Sequence, residues 1–311
     1  MFNGLNSVLT IFIMIGTGFI LTKKGVFNTD TSKLFSKIVV NISLPLMMII
    51  NIPMRFSKEK LFESLNGIIV AFLSILIAYI IAVITANIFR IDNNKKGIFY
   101  VMFAFSNSIF IGLPVNISLF GEDSAIYVFL FYLANTCLFW TLGIYYIKKS
   151  GSNAKKSFSK LDSLRKIFSP PFLGFLIGII LVLLEIELPG FMVNSFRYIG
   201  NLTTPLSMFF IGIVISSINI KEMKLDLTSS LILIGKLLIT PFVMFLCLKL
   251  FELPILLGKV FIIEAAMPII TQAALVSEFY GADSKYVSYM VGLSTVLMIL
   301  IIPVYSLILV R

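Results

Sequence analysis

The stretch Asn41-Ile42-Ser43-Leu44-Pro45-Leu46-Met47-Met48 returns 160 residues later as Asn201-Leu202-Thr203-Thr204-Pro205-Leu206-Ser207-Met208. At the same offset, Phe120-Gly121-Glu122-Asp123-Ser124 returns as Tyr280-Gly281-Ala282-Asp283-Ser284. Two echoes in one register describe a duplicated unit, and the proline-bearing copies both lie inside apolar runs. Duplication with Pro- or Gly-interrupted helices at corresponding places is the mark of a secondary transporter in the membrane.

Composition places the chain in the bilayer. Hydrophobic residues make up 59% of it, charged residues 13%, and the mean hydropathy is +1.03. Crossing about 30 Å of hydrocarbon takes about 20 mainly apolar residues. Ten such runs can be read, at 4–22, 34–53, 67–90, 97–119, 124–147, 170–187, 194–219, 228–250, 255–280 and 285–309. They leave no stretch long enough for a soluble domain. The first run lacks a basic leader, since Lys23 and Lys24 follow it, and no small-x-small cleavage site comes after, so it is expected to be retained.

Several chemistries are excluded. The chain has no histidine, which rules out imidazole metal sites, histidine proton relays and Ser-His triads. No Walker A loop is present to cradle ATP phosphates. Cys137 and Cys247 sit within apolar spans and read as small buried hydrophobes. No cofactor is expected, with Na⁺ or H⁺ coupling left open.

The 25 Lys and Arg against 15 Asp and Glu are a topology signal rather than a nucleic-acid footprint. Lys148, Lys149, Lys155, Lys156, Lys160, Arg165 and Lys166 crowd the central loop; Lys23, Lys24, Lys33, Lys37, Arg90, Lys95 and Lys96 flank connections on the same side. The positive-inside rule then puts loop 148–169 in the cytoplasm of a plasma-membrane protein, with both termini outside. Within that loop Phe158, Leu161, Leu164, Ile167 and Phe168 recur at helical spacing among lysines. They describe either an amphipathic helix on anionic headgroups or a solvated basic linker.

Five spans per half is odd, so the second half enters the membrane inverted. The expected organisation is a first repeat at 1–147, a cytoplasmic linker at 148–169 and a second repeat at 170–311. Pro45 and Pro205 each remove a helical hydrogen bond, and Asn41/Ser43 and Asn201/Thr203 are within a turn to satisfy the freed carbonyl. Asn41, Pro45, Asn201 and Pro205 are therefore candidates for helix kinks or for the lining of a cavity between domains.

Spans four and nine carry more. In Phe105-Ser106-Asn107-Ser108-Ile109-Phe110-Ile111-Gly112-Leu113-Pro114 a polar triplet is followed by Gly and Pro. In Glu264-Ala265-Ala266-Met267-Pro268-Ile269-Ile270-Thr271-Gln272 a carboxylate precedes a proline by one turn. Ser108 falls on Pro268 at the 160-residue offset, so the interruptions match. A broken helix offers N–H groups to anions and carbonyls to cations, and two of them crossing make a small site with both. Asn107, Ser108, Gly112, Pro114, Pro268, Thr271 and Gln272 are the candidate substrate residues.

Glu264 is the one carboxylate well inside a predicted span. An acid at the bilayer centre costs about 2.5–3.5 kcal/mol on insertion scales, so it is a candidate for a coupling ion or proton. Lys236, in span eight, is either its charge partner or a side chain snorkelling to the cytoplasmic face. Asn135 and Thr136 read as packing glue between helices.

These residues resemble the auxin efflux carrier family. Asn107-Ser108-Ile109-Phe110-Ile111-Gly112-Leu113-Pro114 is similar to its Asn-Thr-x-x-x-Gly-x-Pro motif, and Glu264-Ala265-Ala266-Met267-Pro268 to its Gln/Glu-Ala-Ala-Leu/Met-Pro motif. The resemblance runs from residue 4 to residue 309. It implies an all-α membrane fold of ten helices in two inverted five-helix repeats, like bile-acid and sodium/proton carriers, with broken spans four and nine crossing and an elevator motion alternating access. It also implies an organic-anion substrate, auxin in plants and malate or malonate in some bacterial members, and a homodimer in the lipid bilayer. Plant members carry proline where this chain has Ser106, and many have a long central loop; the short-loop bacterial branch is the better match.

The chain is thus expected to be a carrier of a small carboxylate, the alternative being a Na⁺- or H⁺-coupled carrier of another solute through Glu264. An intramembrane enzyme is not expected, because proteases of that kind need paired carboxylates or a serine–histidine pair.

Overall fold

The computed structural model describes residues 2–152, 168–216 and 225–309, and nearly all of these are helical. The linker residues Phe158, Leu161, Leu164 and Ile167 lie outside that range. Among the described residues, six helical rods are long and apolar enough to cross a membrane: Thr29–Arg55, Lys58–Ile88, Glu122–Ser150, Gly190–Ser216, Leu227–Leu248 and Ser284–Leu309. Leu9–Lys23, Ser108–Phe120 and Pro170–Leu184 are shorter apolar helices. The chain is an all-helical integral membrane protein.

In the first half the helices are α1 (Phe2–Lys23), α2 (Thr29–Ile38), α3 (Leu44–Arg55), α4 (Lys58–Ile88), α5 (Asn93–Ala104), α6 (Leu113–Phe120), α7 (Ala125–Leu138) and α8 (Ile144–Ser150). The second half supplies α9 (Pro170–Leu184), α10 (Gly190–Gly200), α11 (Thr203–Ser216), α12 (Leu227–Ile234), α13 (Thr240–Leu248), α14 (Ile255–Ala266), α15 (Gln272–Tyr280) and α16 (Ser284–Leu309).

Polar caps lengthen some rods beyond the apolar windows. Asn28 and Thr31 form a reciprocal capping box that starts α2 at residue 29 rather than 34. Ser57 accepts from the Lys60 amide and starts α4 at residue 58 rather than 67. Hydropathy alone misses such polar first turns.

Prolines at 45, 114 and 241 each follow a five-residue π-helical stretch, at Val39–Ser43, Ser108–Gly112 and Gly235–Ile239. A proline cannot donate to the preceding turn and pushes it away, and a widened turn absorbs the strain. The expected side-chain repair is not what happens. Ser43 Oγ and Thr203 Oγ1 are buried without a hydrogen-bond partner, and the helix continues past Pro45 through the π stretch. Around Pro205 the chain instead turns at Asn201–Leu202 and restarts as α11.

The echoed glycines share a positive φ but not a ψ, which is 177° at Gly121 and 30° at Gly281. Gly121 (φ +81°) ends α6 and Gly281 (φ +69°) ends α15, and positive φ is where glycine is tolerated without a Cβ penalty.

The helices sort into two groups. In one, α1 packs along α11, and α3 packs along α9 and α10. In the other, α4 packs on α5, α7 and α13, α8 on α5, and α14 on α13. Each half of the chain gives its first helices to the first group and its later ones to the second. Small residues set the closest approaches, as expected where lipid supplies no hydrophobic drive between helices. A Cβ at Gly174 would meet the Pro45 backbone at 2.6 Å, and one at Gly18 the Phe209 carbonyl at 2.6 Å. Where the groups meet, Ile11, Ile15, Ile111, Val115, Met208, Ile211, Ile263 and Met298 form a separate apolar cluster.

The candidate crossover site

Helix α5 stops at Ala104, and Phe105 is extended (φ −95°, ψ 139°). Helix α14 stops at Ala266 because Pro268 disfavours helical geometry at Met267, which is extended (φ −61°, ψ 153°). The two extended segments cross and pair antiparallel at Ser106 and Ile269. The Asn107 amide donates to the Pro268 carbonyl at 2.8 Å, and the Ile270 amide donates to the Phe105 carbonyl at 3.3 Å. Backbone freed in hydrocarbon must be satisfied inside the protein, and here each break satisfies the other.

Two side chains complete the repair. Asn135 accepts from the Ser106 amide at 3.0 Å and donates to the Ser106 carbonyl at 2.9 Å. Ser294 Oγ accepts from the Ile269 amide at 3.2 Å. Asn135 lies on α7 and Ser294 on α16, the helix after the break in each half. Ser106 needs an amide proton for this contact, which a proline in its place would lack.

Beside the crossing lies a cavity of about 320 Å³ lined by Ser106, Asn107, Ser108, Asn135, Thr136, Tyr132, Thr271 and Gln272, with Asn41 on its far wall. Asn107 and Ser108 are buried, and Asn107 Nδ2 has no hydrogen-bond partner in the protein. No side chain caps the π stretch that starts at Ser108 or the α15 terminus at Thr271, so both helix starts present their positive dipole end at the cavity wall. Val40, Asn41, Phe110, Thr271 and Gln272 also line a second cavity of about 810 Å³, which continues past Lys33 and Lys37.

Glu264 is fully buried. Its Oε1 accepts from Asn116 Nδ2 at 2.8 Å, and Asn116 Nδ2 also reaches the Gly112 carbonyl at 2.9 Å. Oε2 of Glu264 and Oδ1 of Asn116 have no partner. Gly112 makes room for the carboxylate, since a Cβ there would overlap it. Pro114 is buried at the start of α6.

Lys236 is also fully buried. Its Nζ donates to Ser106 Oγ at 2.6 Å and lies 3.4 Å from the Ala104 carbonyl. The snorkelling expectation fails, and the charge-partner expectation holds only at a distance, since the Glu264 charge acts on Lys236 without forming an ion pair. Lys236 does not reach the cytoplasmic face, and no carboxylate lies within ion-pair distance of it among the described residues. Thr240 Oγ1 lies 2.6 Å from the Lys236 carbonyl and 2.8 Å from that of Ala265, tying this stretch to the end of α14.

The structure therefore brings Asn107, Ser108, Thr271, Gln272 and Asn41 to one cavity, with Pro268 in its backbone bridge and Gly112 and Glu264 behind it. Pro45 instead packs on Gly174. Asn201 is exposed at the turn before α11, with Pro205 in that helix's first turn. Ser106, Asn135 and Asn116 were not singled out as site residues.

The profile of the membrane transport protein family matches residues 4–306. The chain belongs to this family, that of the auxin efflux carriers. An uncharacterized transporter of Methanocaldococcus jannaschii is 25% identical over 304 residues, covering 96% of both chains. An uncharacterized transporter of Methanothermobacter thermautotrophicus is 23% identical over 304 residues, covering 97% of both. This family member is thus similar along nearly its whole length to archaeal transporters, and it is a membrane transporter.

Proposed function

We propose that this transporter carries a small organic anion, a carboxylate, bound at the crossover of the two broken helices. The observation that carries the reading is the cavity of about 320 Å³ beside the crossing. Its wall presents a buried amide donor without a partner, Asn107 Nδ2, and two uncapped helix starts. Those groups favour negative charge. The volume is at the lower end of the range of about 300–1,000 Å³ usual for small-molecule sites, which suits a small acid.

The reading extends to alternating access. The wider cavity leads from the crossing to Lys33 and Lys37, on the side assigned to the cytoplasm by the charge distribution. At the other end of the Thr29–Arg55 rod, Arg55 pairs with Glu122 and Asp123 across the two helix groups. This is an inward-open arrangement, with both termini outside. The matched glycines, the mutual repair of the breaks and the equal division of each half between the groups support ten spans in two inverted repeats. The apolar seam between the groups suits an elevator-type displacement.

The test is a thermal-shift screen of the purified carrier against small mono- and dicarboxylates, with uptake into proteoliposomes. A ligand at 100 times its Kd stabilises by about 2.7 kcal/mol. Stabilisation by a carboxylate that disappears in Asn107→Ala is the expected result; no response to any carboxylate would discard the substrate class.

One observation favours a second reading, coupling to Na⁺ or H⁺. Glu264 Oε2 and Asn116 Oδ1 are buried oxygens without a partner, as a cation or a proton would require. In that case Glu264→Gln abolishes dependence on the ion gradient, and coupling that survives the change removes Glu264 from this role.

A further inference from the structure

We infer that Lys236 is the countercharge of the transported carboxylate, acting on it through the hydroxyl of Ser106; this rests on the organic-anion reading above.

A fully buried lysine is rare unless it is paired with an opposite charge. Lys236 is fully buried, yet its Nζ meets only neutral oxygens, Ser106 Oγ at 2.6 Å and the Ala104 carbonyl at 3.4 Å. The nearby buried acid acts on it only from a distance, because the Glu264 carboxylate is held by Asn116 beyond ion-pair distance. The ammonium therefore has no anion in direct contact.

An anion has a place to sit. Ser106 lines the cavity at the crossover. An ammonium has no acceptor capacity, so Ser106 Oγ is the acceptor in its contact with Lys236. The hydroxyl proton is then directed elsewhere, and the cavity is the side that Ser106 lines. A hydroxyl polarised by a cation is a stronger donor, and the low-dielectric surroundings strengthen the chain Nζ–H···Oγ–H···carboxylate. Asn107 Nδ2, the unpartnered donor next along the chain, faces the same space.

The lysine is also fixed in position. It sits in the π stretch Gly235–Ile239. Gly235 lets that stretch lie against the Phe103 ring, which a Cβ would overlap. Thr240 ties the stretch to α14. Such support suits an ammonium that holds one geometry.

A purely structural role is the competing account, in which Lys236 only neutralises the carbonyl end of α5 at Ala104. The two accounts differ in charge selectivity. The experiment measures binding of malonate and succinate against the neutral malonamide and succinamide, by thermal shift and isothermal titration on the purified full-length carrier. The wild-type protein is expected to prefer the acids. In Lys236→Met, which keeps the stem of the side chain, acid affinity is expected to fall by about 30-fold or more while amide affinity is unchanged. Ser106→Ala leaves the lysine in place and breaks the relay, and it is expected to lower the acid preference by a smaller factor.

An acid preference that stays at its full wild-type size in Lys236→Met or in Ser106→Ala overturns the countercharge and leaves the organic-anion reading standing. If Lys236→Met does not fold, Ser106→Ala decides the matter alone. A wild-type carrier that responds to no acid overturns both.

Discussion

The amide of Asn107 and the carbonyl of Pro268, on two helices from different halves of the chain, are joined by a 2.8 Å hydrogen bond. Each residue stands where its own helix is interrupted, so either break alone would leave unsatisfied backbone at the centre of the membrane. Neither interruption is viable without the other, and the proposed binding cavity lies beside the place where they meet.

Side chains at this crossing divide by what they touch, and their substitutions should separate accordingly. Asn135 makes two bonds to the Ser106 backbone, so Asn135→Ala leaves a buried amide and carbonyl unpaired. It should destabilise the protein by about 1–3 kcal/mol for each group left bare. Asn107 Nδ2 has no hydrogen-bond partner in the protein, so Asn107→Ala should change the melting temperature little and abolish transport. Melting curves and proteoliposome uptake on both variants check this. Equal losses of stability would contradict the division.

How much of this the sequence disclosed depends on range. Pro268 and the paired Gly121 and Gly281 act on their own backbone, so their effects are visible locally. The pairing of Ser106 with Ile269 is not, because the 160-residue offset relates Ser108 to Pro268 by descent and says nothing about which residues touch. Asn135 looks like any polar residue in an apolar span until the break it repairs is known. Lys236 was legible as an anomaly, but its partner Ser106 is 130 residues away and is a serine, where a carboxylate was the natural candidate. The π stretches were missed for another reason. Those before Pro45, Pro114 and Pro241 depend on how far each helix bends to accommodate its proline, and Phe139–Gly143 has no proline to announce it.

Gly112 is a packing position set by a buried carboxyl group. A Cβ there overlaps the Glu264 carboxylate, so Gly112→Ala should cost about 1–3 kcal/mol as overpacking. Shortening the acid makes room, and Gly112→Ala with Glu264→Ala should be more stable than the sum of the single changes implies. A double-mutant cycle of melting free energies measures this coupling, expected in the range of about 0.5–3 kcal/mol for residues in contact. Strict additivity would mean that Gly112 yields in some other direction.

Asp226 caps α12, accepting from the Ser229 amide at 2.7 Å. Partial burial pushes its carboxyl up, but the hydrogen bonds from Ser229 and the charge of Lys95 outweigh this and hold it below the usual carboxylate range. Because the folded-state value is depressed, the contribution of Asp226 is present above the unfolded-state value and is lost as pH falls through the folded one. Asp226→Ala should cost about 0.5–2 kcal/mol at neutral pH, and the gap between wild-type and variant melting temperatures should close in acid. A gap that stays constant down to the acid limit would show that the charge on the cap is immaterial.

Arg55 closes the side of the protein away from Lys33 and Lys37. It pairs with Glu122 and Asp123, and Asn51 Nδ2 donates to Glu122 Oε2 at 2.9 Å. Arg55 and Asn51 belong to the first helix group, and the two acids to the connection between α6 and α7 in the second. The Arg55 side chain is 37% exposed, and exposed pairs are worth about 0.2–1 kcal/mol. Its loss should therefore shift the balance of conformations by up to about fivefold without unfolding the protein. Ala125, which is buried beneath this contact, can report the shift as Ala125→Cys after Cys137 and Cys247 are replaced by alanine. A membrane-impermeant maleimide should label it slowly when Arg55 is present and a few-fold faster in Arg55→Ala. Equal labelling rates would show that the apolar seam, rather than this ion pair, keeps that side shut.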